Sequence, residues 1–191
     1  MNKIYTGIGS RDTPEGILTL MRETASKLST LGFTLRSGGA SGGDSAFREG
    51  FEDAFMESCM DGEEDSLFSC ETYLPWAGFN SGIPHFDVFD IILSPPEMRA
   101  AQLLASKHHP RWRVCNDSTR RLHGRNSCQV LGINLDIPTD FVLYYAPVDL
   151  FTEEVRGGTA TAVNIAKYYG IPTINMLFDS WEDELAEFVN L

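Results

Sequence analysis

Four glycines fall within eight residues in Ser37-Gly38-Gly39-Ala40-Ser41-Gly42-Gly43-Asp44. The short apolar run Gly32-Phe33-Thr34-Leu35 precedes them, and Ser45-Ala46-Phe47-Arg48-Glu49-Gly50-Phe51 reads as the start of a helix. A strand, a glycine turn and a helix in that order make an anion cradle. The backbone can approach a phosphate closely there, and the unpaired N–H groups of the helix start point at it. Glycine costs conformational entropy, so a turn holding this many needs a reason. The alternative is a tight strand-to-helix turn with no ligand. Further glycine turns at 7–11 and 156–160 favour the ligand reading.

The familiar phosphate motifs fail in an informative way. Gly38 and Gly43 are spaced as in a P-loop, but Asp44 stands where that loop needs lysine. Gly7-Ile8-Gly9 opens like a dinucleotide fingerprint, but Asp12 occupies the third glycine position. A P-loop ATPase and a simple NAD dehydrogenase are both disfavoured.

Along the chain, strand and helix patterns alternate. Residues 3–9 read as a buried strand. A helix over 14–31, with Thr13 as cap and Pro14 at its first position, places Ile17, Leu20, Met21, Thr24, Ala25 and Leu28 on one face. A strand over 33–36 leads into the glycine turn and a helix over 43–56. The acidic stretch 57–65 reads as a surface loop or a bulged helix end, 70–75 as a strand, and 76–90 as irregular. Helices follow over 94–109 and 120–132, then a central strand Phe141-Val142-Leu143-Tyr144-Tyr145. Residues 146–154 read as a loop, after which the turn at 156–160 opens a helix reaching Tyr169. A strand over 171–176 and a helix over 181–189 close the chain. This alternation predicts an α/β fold whose mostly parallel sheet has helices on both faces. Its ligand crevice should lie outside the carboxyl ends of the strands, where the three glycine turns gather. All 191 residues are expected to form one domain.

Charge and cysteine usage narrow the partners. The net charge is −12, the opposite of the basic footprint of a protein that grips a nucleic-acid backbone. Arg99, Lys107, Arg111, Arg113, Arg120, Arg121 and Arg125 nevertheless lie in a span with one acid, Asp117, and with His108, His109 and His123. Such a strip suits a compact anion better than a long polymer. It also fits a solvated helix face. Cysteines at 59, 70, 115 and 128 form no CxxC pair, so neither a disulfide framework nor a metal site is expected. The cysteine usage and the lack of a signal-peptide layout predict a cytoplasmic protein, and no run of 18 apolar residues suggests a membrane span. Self-association is expected through an apolar sheet edge.

Gly7-Ile8-Gly9-Ser10-Arg11, the turn from Ser37 through Asp44 to Ala46, Gly124-Arg125-Asn126 leading into Val130-Leu131-Gly132, and Gly157-Gly158-Thr159-Ala160-Thr161-Ala162 resemble the Rossmann-like core of the DNA-processing protein DprA (Smf) family, in family order over about 4–176. That family belongs to the SLOG superfamily, whose LOG phosphoribohydrolases are cousins and which includes small stand-alone domains in bacteriophages. The resemblance implies a Rossmann-like fold and a nucleotide site. Gly43 and Phe47 replace the isoleucine and histidine usual in the DprA turn. Ala162, Val163 and Asn164 stand where LOG enzymes carry their catalytic glutamate.

The expected ligand-binding residues are Gly7, Gly9, Ser10 and Arg11; Ser37, Gly38, Gly39, Ala40, Ser41, Gly42 and Asp44; Arg125 and Asn126; and Gly157, Gly158, Thr159 and Thr161. Arg11 offers a planar fork to a phosphate, or a salt bridge to Asp12 or Asp44. Asp44 accepts from a ribose hydroxyl or caps the second helix. Arg125 and Asn126 close over a ligand or pin the helix they begin. Thr159 and Thr161 donate to phosphate or cap. Glu71, Asn80, His85, Glu153 and Glu154 are acid–base candidates, and no catalytic set is assigned. No cofactor is implied beyond a nucleotide-type ligand. Binding of such a ligand is the first reading. A hydrolase acting on an N-glycosidic or phosphate bond, and a DprA-like binder of single-stranded DNA that mediates recombination, are the alternatives.

Overall fold

The computed structural model describes residues 3–61, 68–80, 82, 85–149, 151–152 and 154–189. Six strands form one sheet: β1 (Ile4–Gly9), β2 (Thr34–Ser37), β3 (Cys70–Leu74), β4 (Asp90–Ile92), β5 (Phe141–Tyr145) and β6 (Thr173–Asn175). Their spatial order is β4-β3-β2-β1-β5-β6, and every pairing is parallel. The helices are α1 (Glu15–Thr30), α2 (Gly43–Asp61), α3 (Pro95–His108), α4 (Asp117–Leu131), α5 (Ala160–Tyr168) and α6 (Trp181–Val189). The fold is a Rossmann-like α/β sheet with helices on both faces.

Two apolar layers hold the sheet. On one face Tyr5, Leu35, Phe141 and Leu143 pack against Met21 and Leu28 of α1, Phe47 and Phe51 of α2, and Trp181 and Leu185 of α6. On the other, Ile8, Val142 and Tyr144 meet Val130 and Leu131 of α4 and Val163 and Ile165 of α5. Phe141, Val142 and Leu143 are fully buried, as a central parallel strand requires. Burying each of Leu35, Phe47 and Phe51 stabilises the fold by roughly 1.5–3 kcal/mol.

Four local features depart from the sequence reading. Pro14, not Thr13, takes the N-cap position of α1, and Thr13 Oγ1 instead donates to the Ser10 carbonyl at 2.7 Å. Helix α2 continues past Met56 to Asp61, so the acidic stretch begins as a helix end, one of its two expected forms; its residues 62–65 lie outside the described residues. Helix α4 starts at Asp117 because Asn116 Oδ1 caps it, accepting from Thr119 N at 2.9 Å. Strand β4 emerges from the stretch read as irregular, after a short 3-10 turn at Asp87–Phe89. Both sheet edges are three-residue strands, and β4 carries Asp90. The apolar edge predicted as a self-association surface is therefore short on both sides. Among the described residues, no helix is long and apolar enough to cross a membrane.

Candidate functional site

The strand order reverses at β1, which has β2 on one side and β5 on the other. In open parallel sheets a crevice forms at such a switch, beyond the carboxyl ends of the strands. Here that crevice is a cavity of about 490 Å³. Its walls are the end of β1 with Gly9, Ser10 and Arg11, Ala40 from the glycine turn, Asp44 from the first turn of α2, Arg125 and Asn126 from α4, and Gly157, Gly158 and Thr159 before α5. Three arginines (Arg11, Arg125, Arg156) and two aspartates (Asp12, Asp44) line it. This wall is less acidic than a chain of net charge −12 would suggest.

Asp44 is the hub of one wall. It is 4% exposed, and its carboxylate accepts from Gly9 N at 3.1 Å, Ala40 N at 3.4 Å and Arg125 Nη1 at 3.0 Å. The carboxylate ties the end of β1, the glycine turn and α4 together. The glycines around it serve the same packing. A Cβ on Gly38 would fall 1.0 Å from Arg125 Nη1, and one on Gly43 would fall 2.4 Å from Gly9 Cα. Glycine is needed there because the chain's own atoms occupy the space.

Helix α4 carries the link onward. With the Gln129 amide oxygen turned toward the glycine turn, it accepts from Gly38 N at 3.0 Å and Arg125 Nη1 at 2.6 Å, while Gln129 Nε2 donates to Asn126 Oδ1 at 3.0 Å. Asn126 Nδ2 donates to the Gly158 carbonyl at 3.0 Å. A continuous polar chain therefore runs from Gly9 through Asp44, Arg125, Gln129 and Asn126 to Gly158. Arg125 and Asn126 lie in the middle of α4 rather than at its start, and both tie it to the glycine turns while lining the cavity. Among the described residues, Arg125 Nε is buried without a hydrogen-bond partner.

The opposite wall is open. Gly157 has φ of +84°, and among the described residues beyond its chain neighbours nothing lies within 4 Å of a Cβ built on Gly157 or Gly158. The N–H groups of Gly158 and Thr159 donate to no group among the described residues. Thr159 sits at the N-cap position of α5 without a side-chain cap, so the helix start is not closed by its own hydroxyl. Arg11 is exposed on the rim and forms neither the Asp12 nor the Asp44 salt bridge that the sequence allows; among the described residues it has no partner. Arg156 pairs with Asp149 at the lip. That partner, with the backbone N–H groups of Phe151 and Thr152, holds the Asp149 carboxyl down at about 2.

The remaining expected residues do not line the cavity. Ser37 Oγ donates to the Gly7 carbonyl at 2.7 Å, inside the fold. Gly7, Gly38, Gly39, Ser41 and Gly42 are not part of its lining either. Thr161 is fully buried, with its hydroxyl 2.9 Å from His123 Nδ1. Among the acid–base candidates, Glu71 pairs with buried Arg36 and accepts from Tyr73, His85 pairs with Asp90, and Asn80 donates to the Gly39 carbonyl. None of these, nor Glu154, lines the cavity; Glu153 lies outside the described residues.

The sequence reading missed Asp12, Leu122, His123, Gln129, Pro147 and Arg156 as lining residues. Helical spacing holds the signal for part of this set. Leu122, Arg125, Asn126 and Gln129 recur at i, i+3, i+4 and i+7 and so share one face of α4. His123 is 8% exposed, and burial, with His109 and Arg125 nearby, pushes its pKa down to about 4. His123, His109 and Cys115 bring potential metal-ligating atoms within 4.8 Å of one another.

No protein-family model matches the chain, and no curated protein does. Among solved structures, the chain is similar to the Moco carrier protein of Chlamydomonas rheinhardtii, with a TM-score of 0.46 and 15% identity over 90% of this chain and 73% of that one.

Proposed function

We propose that the chain binds a nucleotide or a nucleotide-derived phosphate in the cavity at the β1/β5 switch. One observation carries the reading: the wall offers anion donors that the fold itself leaves unused. They are the Arg11 guanidinium and the N–H groups of Gly158 and Thr159 at the start of α5. A guanidinium forks onto phosphate oxygens, and a helix start adds aligned N–H dipoles. The cavity volume suits a small ligand. The resemblance of the glycine turns to the DprA branch of the SLOG superfamily supports the same ligand class, carried by a single Rossmann-like unit.

Thermal unfolding against mono- and dinucleotides, cyclic nucleotides, ADP-ribose and oligo-dT tests this. A ligand at 100 times its dissociation constant stabilises by about 2.7 kcal/mol, which is roughly 5–10 °C for a chain of this length. The reading expects a shift with a small nucleotide, removed by Arg11→Ala. Breakdown of that nucleotide during incubation would make the chain a hydrolase. A shift with oligo-dT alone, fading steeply with salt, would replace the small ligand by DNA.

A further inference from the structure

We propose that His109, Cys115 and His123 form a binding site for a zinc-class divalent cation beside the cavity. Three separate elements converge there. His109 is the C-cap of α3, its N–H donating to the Ala105 carbonyl at 2.9 Å. Cys115 closes the 3-10 turn Trp112–Val114, its N–H donating to the Trp112 carbonyl at 3.1 Å. His123 projects from α4. The two imidazole centroids are 4.1 Å apart, His109 Nδ1 is 3.9 Å from Cys115 Sγ, and one donor atom from each residue lies within 4.8 Å of the others.

The donor set selects the ion. Two imidazoles and one thiolate suit zinc and its borderline-soft neighbours, whereas magnesium and calcium prefer oxygen ligands. Zinc–nitrogen and zinc–sulfur bonds of about 2.0–2.3 Å require the three donors to draw together by about 1 Å. Cys115 and His109 sit in a short turn and at a helix end, where small backbone adjustments allow this. His123 is oriented from behind. Its Nδ1 lies 2.9 Å from the Thr161 hydroxyl oxygen, which can accept a hydrogen bond from Nδ1–H and leave Nε2 free to ligate. Arg125 of α4 is already paired with Asp44.

Three protein ligands leave a fourth position open, the arrangement of reactive rather than closed structural zinc sites. His123 also lines the cavity, so a cavity occupant or a water can reach that position. The proposal stands on the three side chains and does not depend on the nucleotide reading.

The test is cobalt(II) titration of the full, chelator-treated chain, followed by zinc competition. One cobalt per chain is expected, with a thiolate-to-cobalt absorption band and tetrahedral d–d bands that zinc abolishes. Cys115→Ser should remove the thiolate band and weaken zinc at least about tenfold, and His123→Ala should abolish binding. Cys59→Ser, exposed on α2, should leave both unchanged. Thr161→Val should weaken zinc by about 10-fold or more while the thiolate band remains. Cys115 is half-exposed, so its serine variant decides the matter even if His123→Ala does not fold. Absence of a thiolate band, or a band that survives Cys115→Ser, overturns the site.

Discussion

The glycine turns at 37–44 and 156–160 look alike in sequence and differ in kind. Each leads into a helix beside the same cavity. In the first, the glycines make room for the protein itself: Arg125 passes where a Gly38 side chain would stand, and Gly9 packs against Gly43. In the second, Gly157 and Gly158 are exposed and border empty space. The first turn is scaffold: its Gly38 N–H donates to Gln129, its Ala40 N–H to Asp44 and its Gly43 N–H to the Ser10 carbonyl. The second keeps its N–H groups uncommitted. A glycine-rich turn thus marks close approach without saying whether the approaching group is the chain or a ligand.

The comparison breaks most easily at Gly38. Gly38→Ala must expel the Arg125 guanidinium from a buried pair, so denaturant unfolding should show a loss of roughly 3–5 kcal/mol. Asp44→Ala removes the other partner and should cost about as much. Because both break one pair, the double variant should fall well short of the sum. Additive losses would mean that the two residues act separately and that the first wall is not one unit.

Smaller effects are expected on the open side, and they should separate binding from stability. Arg11→Ala should change stability by no more than about 0.5 kcal/mol, since the side chain is exposed and unpartnered. The same change should weaken nucleotide binding by roughly 1–3 kcal/mol in a titration. Gly158→Ala should also leave stability within about 0.5 kcal/mol while reducing affinity, because a methyl group would stand between the backbone and a phosphate. A large stability loss at Gly158 would erase the contrast with Gly38.

The smallest effect concerns the lip. Asp149 has its carboxyl lowered, first by Arg156 and then by two backbone N–H groups. A lowered carboxylate favours the folded lip above the ordinary aspartate range, and that contribution is lost as pH falls toward about 2. Arg156→Ala should raise the Asp149 value toward the ordinary aspartate range, measured by carboxyl NMR titration. An unmoved value would leave the Phe151 and Thr152 N–H groups as the sole cause.

Much of the sheet was legible because each buried strand carries its own apolar run. Phe141 to Tyr145 is the clearest case, and α6 is marked by Trp181 and the acids that follow it. Strand β4 was not, because three residues with Asp90 inside and Ile92 half-exposed leave no periodic signal. The start of α4 was hidden for a different reason: its cap, Asn116, is separated from the apolar positions by charged residues. At the site, Arg11 and the turn at 157–159 could be read from residue type and position. The roles of Asp44, Arg125 and Gln129 could not, since the Asp44–Arg125 pair spans 81 residues in sequence and Gln129 reaches back to Gly38. The His109, Cys115 and His123 cluster was equally invisible, because its members sit on three elements without a compact motif.

The most direct test of the division between the two turns is a backbone amide NMR titration with ADP-ribose, with inorganic phosphate in parallel. The account predicts that the Gly158 and Thr159 amides and the Arg11 side-chain N–H move in a saturable way with ADP-ribose. The Gly38 amide, already bonded to Gln129, should stay nearly still. Shifts concentrated on residues 38–43 with Gly158 and Thr159 unmoved would reverse the assignment, and no saturable shift at either turn would remove the nucleotide site.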